Sequence, residues 1–378
     1  MRIGIDYSAG VNQAAGIGRF VRNLVQAVSE VDTHNEYVLM YATPNPGRVP
    51  SFPSAPNFAT KQLAIRERLL TILWQRLQIP LSVERMLGHL DIFHAPDFVL
   101  PPVKNAVTLL TVHDLAFLIH PECAHEGLRK YLEHAVPRSI ARADYILADS
   151  ENTKSDVVCL MDADPDRVFV VPGAVDPVFV PAAEDAIVAA RAAYQIRGPF
   201  ILGVGTIEPR KNWPRLIEAY ARFRTRTGLR HQLVIAGGAG WLTEETYACA
   251  SRSAYADDIR FTGRVADAEL VALYSGAEVF AYPSLYEGFG MPPLEAMACG
   301  TPVVCSNTSS LPECADGAAL MVSPTDPEAI SDAIERVCTD SDLRADLRLR
   351  GIARALEYGW EKSAQRLVSI YEQVGAAA

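Results

Sequence analysis

Short apolar runs alternate with longer amphipathic stretches along the whole chain. Residues 3–6, 37–41, 92–94, 107–112, 145–148 and 168–171 have the length and composition of buried strands. Between them, residues 20–31 and 128–141 carry apolar positions at helical spacing. The rhythm then restarts: 200–204, 232–236, 259–262, 279–282, 302–305 and 319–321 read as strands, with helical stretches such as 213–225 and 267–275 between them. Strands alternating with helices predict parallel sheets covered on both faces. The interruption falls in the Pro/Ala-rich stretch 172–183, where Pro177 and Pro181 break regular structure.

The pattern therefore predicts an α/β chain of two Rossmann-like, doubly wound domains, residues 1–178 and 179–359. A final helical stretch in residues 360–378 is expected to pack back across the seam. Open α/β sheets bind ligands outside the carboxyl ends of their strands, so two such halves are expected to face a central cleft, with function on the loops that follow strands.

Composition changes this picture little. With 378 residues, 49% hydrophobic and 21% charged, the chain can bury two cores, which excludes a mainly disordered protein. A net charge of −10 argues against a broad nucleic-acid footprint. The apolar start before Asp6 is too short for a signal peptide and no run approaches a spanning helix, so a cytoplasmic protein is expected. Seven cysteines without a CxxC pair read as reduced thiols. One segment departs from the acidic average. Residues 61–85 hold Lys61, Arg66, Arg68, Arg76 and Arg85 against Glu67 and Glu84, interleaved with Leu69, Leu70, Ile72, Leu73, Trp74 and Leu77. Two readings stay open: a helix lying on an anionic membrane surface, or an amphipathic helix facing the core.

Candidate chemistry concentrates in Tyr282-Pro-Ser-Leu-Tyr-Glu-Gly-Phe-Gly-Met-Pro-Pro-Leu-Glu-Ala-Met-Ala-Cys-Gly-Thr-Pro. A strand ends near Tyr282, a glycine loop follows, and the prolines suit the first turn of a helix. Amides around Gly288, Phe289 and Gly290, with the positive end of the helix dipole, make an anion site. Glu287 stands on that loop and Glu295 one turn into the helix. Either carboxylate alone is more simply a surface group. The two together, with the glycines and the proline pair, favour a site in which one reaches a reacting group and the other binds hydroxyls.

These residues resemble the E-x7-E motif of the retaining glycosyltransferases of family 4, which have the glycosyltransferase-B fold. The resemblance covers nearly the whole chain and is strongest between residues 200 and 327. It implies that Glu287 lies beside the transferred sugar and that Glu295 binds the nucleotide ribose. A second cluster, Gly203-Val-Gly-Thr-Ile-Glu-Pro-Arg-Lys-Asn212, ends a strand and opens a helix. Arg210 and Lys211 there can neutralise a leaving diphosphate. The resemblance assigns Lys211 to the donor phosphates; Thr206 stands where similar chains often have an arginine, and Arg210 is expected to supply that charge. In the first half, Thr111-Val-His-Asp-Leu115 puts His113 just past a strand, and the family's similar histidine motif implies sugar contact. Gly16-Ile-Gly18 opens a helix, so its amides are expected to face a phosphate or the acceptor. Ala236-Gly-Gly-Ala-Gly240 is a tight turn or a nucleotide contact.

The DxD spacings in Asp162-Ala-Asp-Pro-Asp166 and Asp340-Ser-Asp342 read as turns or caps. With no evident His/Cys ligand cluster, neither metal nor cofactor is expected. The resulting expectation is retaining transfer of a hexose, with mannose from GDP-mannose as the first choice and UDP-glucose behind it. The acceptor would be a glycan or a lipid-linked oligosaccharide, with peripheral contact to an anionic membrane. A nucleotide-sugar epimerase of similar fold and a non-catalytic nucleotide-sugar-binding scaffold are the rivals. A dinucleotide oxidoreductase fails on its fingerprint, since Gly203-Val-Gly205 lacks the third glycine.

Overall fold

The computed structural model describes residues 1–13, 16–47 and 49–376. Seven strands, β1 (Arg2–Asp6), β2 (Glu36–Thr43), β3 (Phe58–Arg66), β4 (Ile92–Ala95), β5 (Val107–Val112), β6 (Tyr145–Ala148) and β7 (Val168–Val170), form one sheet. Its order is β3-β2-β1-β4-β5-β6-β7, and every pairing is parallel. Six more strands, β8 (Phe200–Val204), β9 (Gln232–Ala236), β10 (Ile259–Gly263), β11 (Val279–Tyr282), β12 (Val303–Ser306) and β13 (Leu320–Val322), form the second sheet in the order β10-β9-β8-β11-β12-β13. In each sheet the winding reverses beside the first strand, between β1 and β4 and between β8 and β11. Such a reversal opens a crevice at the carboxyl ends of the two strands, because their crossover helices leave to opposite faces.

The inner strands of the second sheet, β9, β8, β11 and β12, are buried on both faces, which is why they read as mainly apolar runs. Phe200, Leu202, Val234, Phe280 and Val303 pack in one core layer, while Ile201, Leu233, Ile235, Val279 and Val304, their sequence neighbours, pack in the other. Backbone approach is tight where β8 ends. A Cβ on Gly203 would lie 2.6 Å from the buried Trp213 ring, so only glycine lets the helix Trp213–Thr227 sit this close to its strand.

The chain divides into two compact units. One contains Met1–Leu115, Lys130–Gly173 and the chain from Trp360 onward; the other contains Ala116–Arg129 and Ala174–Gly359. The seam thus lies between Gly173 and Ala174 rather than near residue 178. The expectation of an unbroken first domain also needs correction, because residues 116–129 group with the second unit. The last helix, Trp360–Ala376, belongs with the first unit. Its Trp360 ring meets Phe20 edge-on at 5.7 Å, and Tyr371 shares a 2.7 Å hydrogen bond with His94 Nδ1 on β4. Burial of Leu367, Ile370, Tyr371 and Val374 along one face explains why this helix docks.

The segment 61–85 is not one helix. Lys61 and Arg66 lie on β3, an edge strand whose mostly exposed, charged residues discourage pairing with another chain. Helical structure covers only Glu67–Thr71 and a following π-helical turn, Ile72–Arg76, before the separate short helix Glu84–Leu87.

Candidate functional site

The two loops singled out in the sequence are the ones that leave β8 and β11, the strands flanking the reversal of the second sheet. Residues 205–212 carry the short 3-10 turn Pro209–Lys211, and Asn212 follows with φ 61°. Asn212 donates to the carbonyls of Pro283 and Pro324 at 2.8 and 2.7 Å, stitching the first loop to the second. The N–H of Leu285 donates to the Arg210 carbonyl at 2.9 Å. Gly290, at φ 121°, turns the second loop into the helix Met291–Ala298, whose Pro292 and Pro293 carry no N–H. An anion at this end must therefore use the amides of residues 288–291 and Leu294.

Glu287 is 7% exposed, and both of its carboxylate oxygens accept hydrogen bonds. Its Oε1 accepts from Lys211 Nζ at 2.6 Å, Ser284 Oγ at 2.6 Å and the Tyr282 hydroxyl at 2.8 Å. Its Oε2 accepts from Arg210 at 2.7 Å. Burial pushes the carboxyl up, but the charges of Arg210 and Lys211 and the bonds from Lys211 and Ser284 outweigh it and hold the pKa at about 2. Glu287 is therefore an anion at neutral pH and holds no proton to donate. Arg210 also pairs with Glu208 at 2.8 Å and donates to the Tyr286 carbonyl at 2.8 Å. The two cations and two carboxylates form a neutral, buried cluster. Burial, and then the neighbouring Arg210, pull the Lys211 ammonium below its ordinary value. Lys211 spends two of its three N–H bonds on Glu287 and the Tyr282 oxygen.

Glu295, 4% exposed, accepts from the Tyr274 hydroxyl at 3.1 Å. Phe289 turns its ring into the core against Tyr358, at 5.6 Å, so only its backbone faces the loop. Ser310 Oγ lies 2.8 and 2.6 Å from the carbonyls of Glu287 and Phe289, and Ser309 Oγ accepts the Glu287 N–H at 2.9 Å. Sequence reasoning missed Glu208, Tyr274, Tyr282, Ser284, Ser309 and Ser310. Glu208, Tyr282 and Ser284 lie within the two motifs, but nothing in their spacing says that they meet.

Comparison with known proteins gives the family. Residues 190–354 match the family model "Glycosyl transferases group 1", and residues 14–179 match "Glycosyltransferase Family 4". The chain is 32% identical over 370 residues to the O-antigen chain mannosyltransferase B of Escherichia coli, covering 94% of this chain and 96% of that protein. The chain belongs to glycosyltransferase family 4. Among solved structures, a sucrose-phosphate synthase from Thermosynechococcus elongatus superposes with a TM-score of 0.79 at 22% identity, covering 100% of both chains. Anabaena HepE in complex with UDP-glucose superposes with a TM-score of 0.75 at 15% identity, over 99% of this chain and 100% of that one. The fold is of the glycosyltransferase-B type.

The remaining predicted positions of this family 4 glycosyltransferase lie in the first unit. His113 follows β5 and is buried. Its Nδ1 bonds Asp149 Oδ2 at 2.7 Å and its Nε2 meets the Pro96 carbonyl at 2.9 Å, so both nitrogens face acceptors and both carry protons. Burial pulls the imidazole down, but the charge and hydrogen bond of Asp149, aided by Asp97 and the Pro96 carbonyl, raise it to about 9. The sugar contact that the resemblance implies for His113 therefore requires one of these two bonds to be exchanged. Gly16 has φ 49° and begins the helix Ile17–Val31. Gly18 has a packing reason of its own, since a Cβ there would lie 2.2 Å from the Gln13 carbonyl oxygen. The two DxD spacings act as caps: Asp164 accepts the N–H of Asp166, and Asp340 those of Asp342 and Leu343.

The expectation that no His/Cys ligand cluster exists needs correction. Tertiary structure brings His231, Glu278 and Cys338 together, and separately His120, Glu122 and Cys123. In the first group His231 Nε2 bonds Glu278 at 2.8 Å, and Arg344 takes the other carboxylate oxygen at 3.1 Å. That arrangement is an ion-pair network in its own right.

Proposed function

We propose that this glycosyltransferase transfers a hexose with retention of anomeric configuration from a nucleoside diphosphate sugar to a glycan or lipid-linked oligosaccharide. Mannose from GDP-mannose is the first choice, and the protein acts in the cytoplasm. The observation that carries the reading is the neutral, buried cluster of Glu208, Arg210, Lys211 and Glu287 at the reversal of the second sheet. The similarity to an O-antigen mannosyltransferase over 94% of the chain supports mannose.

In this reading the uncommitted third N–H of Lys211 and the amides of residues 288–291 take the diphosphate. Negative charge grows on the leaving phosphate as the sugar becomes oxocarbenium-like. Donors already fixed in place then stabilise the transition state more than the ground state. Arg210, held by Glu208, Glu287 and the Tyr286 carbonyl, acts as the brace that fixes the carboxylate. Glu287, permanently ionised, orients sugar hydroxyls and balances the positive charge that develops on the sugar. Glu295, braced by Tyr274, receives the ribose hydroxyls. His113 enters as a buried imidazolium; to reach a sugar hydroxyl, its Nε2 must exchange the Pro96 carbonyl for the ligand. Gly16 and Gly18 keep the role of an acceptor-side turn. The protein's own cations and amides supply the charge that a divalent metal supplies elsewhere, so turnover is expected to survive chelation.

The test is incubation with a panel of nucleotide sugars, with and without lipid-linked acceptors, identifying products by mass and the new anomer by NMR. Acceptor-dependent nucleotide release with a retained anomer supports the proposal. Conversion of the donor without acceptor would make the protein an epimerase, and binding without turnover a scaffold. Unchanged turnover in both Lys211→Ala and Glu295→Ala would refute the site.

A further inference from the structure

The segment 116–129, which groups with the second unit, carries the 3-10 turn Pro121–Cys123. Pro121 fixes the backbone at the start of the turn, and the Cys123 N–H donates to the His120 carbonyl at 2.9 Å. Side chains three residues apart eclipse in such a turn, so His120 and Cys123 stand on one side of it. Glu122 reaches both: its Oε1 lies 3.0 Å from His120 Nδ1 and 3.9 Å from Cys123 Sγ. The nitrogen, the carboxylate oxygen and the sulfur all lie within 4.8 Å of one another. A tetrahedral zinc ion with ordinary ligand lengths sets N···O and S···O separations of about 3.4 and 3.6 Å. The two separations to Glu122 are within about half an ångström of that geometry.

The turn is also held from outside. Trp241 Nε1 donates to the Cys123 carbonyl at 2.7 Å, and the His120 ring packs against the Tyr286 ring at 6.2 Å. Cys123 is buried, His120 half-buried and Glu122 exposed, so the sulfur is shielded while the carboxylate side opens to solvent. Glu122 also lines a cavity of about 520 Å³ together with His125 and Glu126, which gives an ion a route in and room for a water in a fourth position. One thiolate, one carboxylate and one neutral imidazole balance a dication. Sulfur with nitrogen selects a borderline-soft ion over magnesium or calcium, which take oxygen.

We propose that His120, Glu122 and Cys123 form a three-ligand site for a zinc-class dication, with its fourth position toward the cavity. The other group, His231, Glu278 and Cys338, is the poorer site, because Arg344 already pairs with Glu278 at 3.1 Å and a dication there would meet a fixed positive charge. The ion takes no part in the transfer proposed above. It replaces the thiol proton, so its surroundings gain one positive charge within electrostatic reach of Arg210. The proposal goes beyond the transfer reaction and stands or falls separately from it.

The test is titration of the full-length protein, stripped with a chelator and held reduced, with cobalt(II) as a spectroscopic stand-in for zinc. A single equivalent is expected to give the thiolate-to-cobalt charge-transfer band and the intense visible bands of a tetrahedral ion. Zinc should bleach these bands and magnesium should not. Cys123→Ser should abolish the charge-transfer band. His120→Gln and Glu122→Gln should each weaken binding about a hundredfold, since losing a ligand costs at least as much as losing its outer-shell partner. Cys338→Ser should leave the spectrum unchanged. Circular dichroism should confirm an unchanged fold in each variant. Three results would each overturn the proposal: no charge-transfer band in the wild type, a band that survives Cys123→Ser, or a band that disappears in Cys338→Ser.

Discussion

Replacing Glu287 by glutamine keeps the shape of the side chain and removes its charge. The amide oxygen can still accept from Ser284, Tyr282 and Lys211. The amide NH2, however, then faces the Arg210 guanidinium, donor against donor, where a 2.7 Å hydrogen bond stood. Lys211 and Arg210 are left with Glu208 as the only carboxylate in the cluster. Holding a buried carboxyl at about 2 instead of 4.5 corresponds to about 3 kcal/mol of native-state stabilisation at neutral pH. Because the folded value is depressed, this stability is present above about 4.5 and is lost as pH falls toward 2. Urea denaturation of wild type and Glu287→Gln should therefore differ by about 3 kcal/mol at pH 7, in line with the cost of breaking a buried pair. The gap should narrow steadily through the acid range. Turnover of nucleotide sugar should fall about a hundredfold or more, the scale of removing one preorganised charge from a closed site. A difference that stays below about 0.5 kcal/mol, as for an ordinary surface substitution, or that does not change between pH 5 and pH 2.5, would refute the reasoning.

The opposite pH dependence is expected of His113. With its folded value raised from 6.5 to about 9, it stabilises the first unit fully below 6.5 and loses that contribution as pH rises through 9. An NMR titration of the ring should place its pKa near 9, and a value at or below 6.5 would exclude the buried imidazolium. Tyr274→Phe removes the hydroxyl that holds Glu295 and leaves the ring in place. If Glu295 binds ribose, the donor KM should rise about tenfold, the size of a lost hydrogen bond to a charged group, while kcat moves little. An unchanged KM would detach Glu295 from the donor.

Much of the fold was written in local pattern. Twelve of the thirteen strands coincide with stretches that read as strands, and the inner ones are mainly apolar because they are buried on both faces. The exception, β3, is an edge strand with a mostly solvated surface, so no hydrophobic run marks it and its charges were read as part of a helix. The short length of the helical run before β4 was equally hidden, since ten residues of mixed apolar and basic side chains fit several conformations.

The sequence alone determined the two doubly wound halves, the two glycine-bearing loops and the carboxylates and cations placed on them, for these follow from periodicity and from residue type at fixed spacing. Tertiary structure decided how those residues act. The reversal beside β8 brings Arg210 and Lys211 within hydrogen-bond reach of Glu287, more than seventy positions away, and sets Tyr282 and Ser284 on the same oxygen. It also used both nitrogens of His113 and withdrew Glu67 and Glu84 from the arginines beside them. Charge state and hydrogen-bond partners depend on what lies across a few ångströms of space, and spacing along the chain carries no record of that.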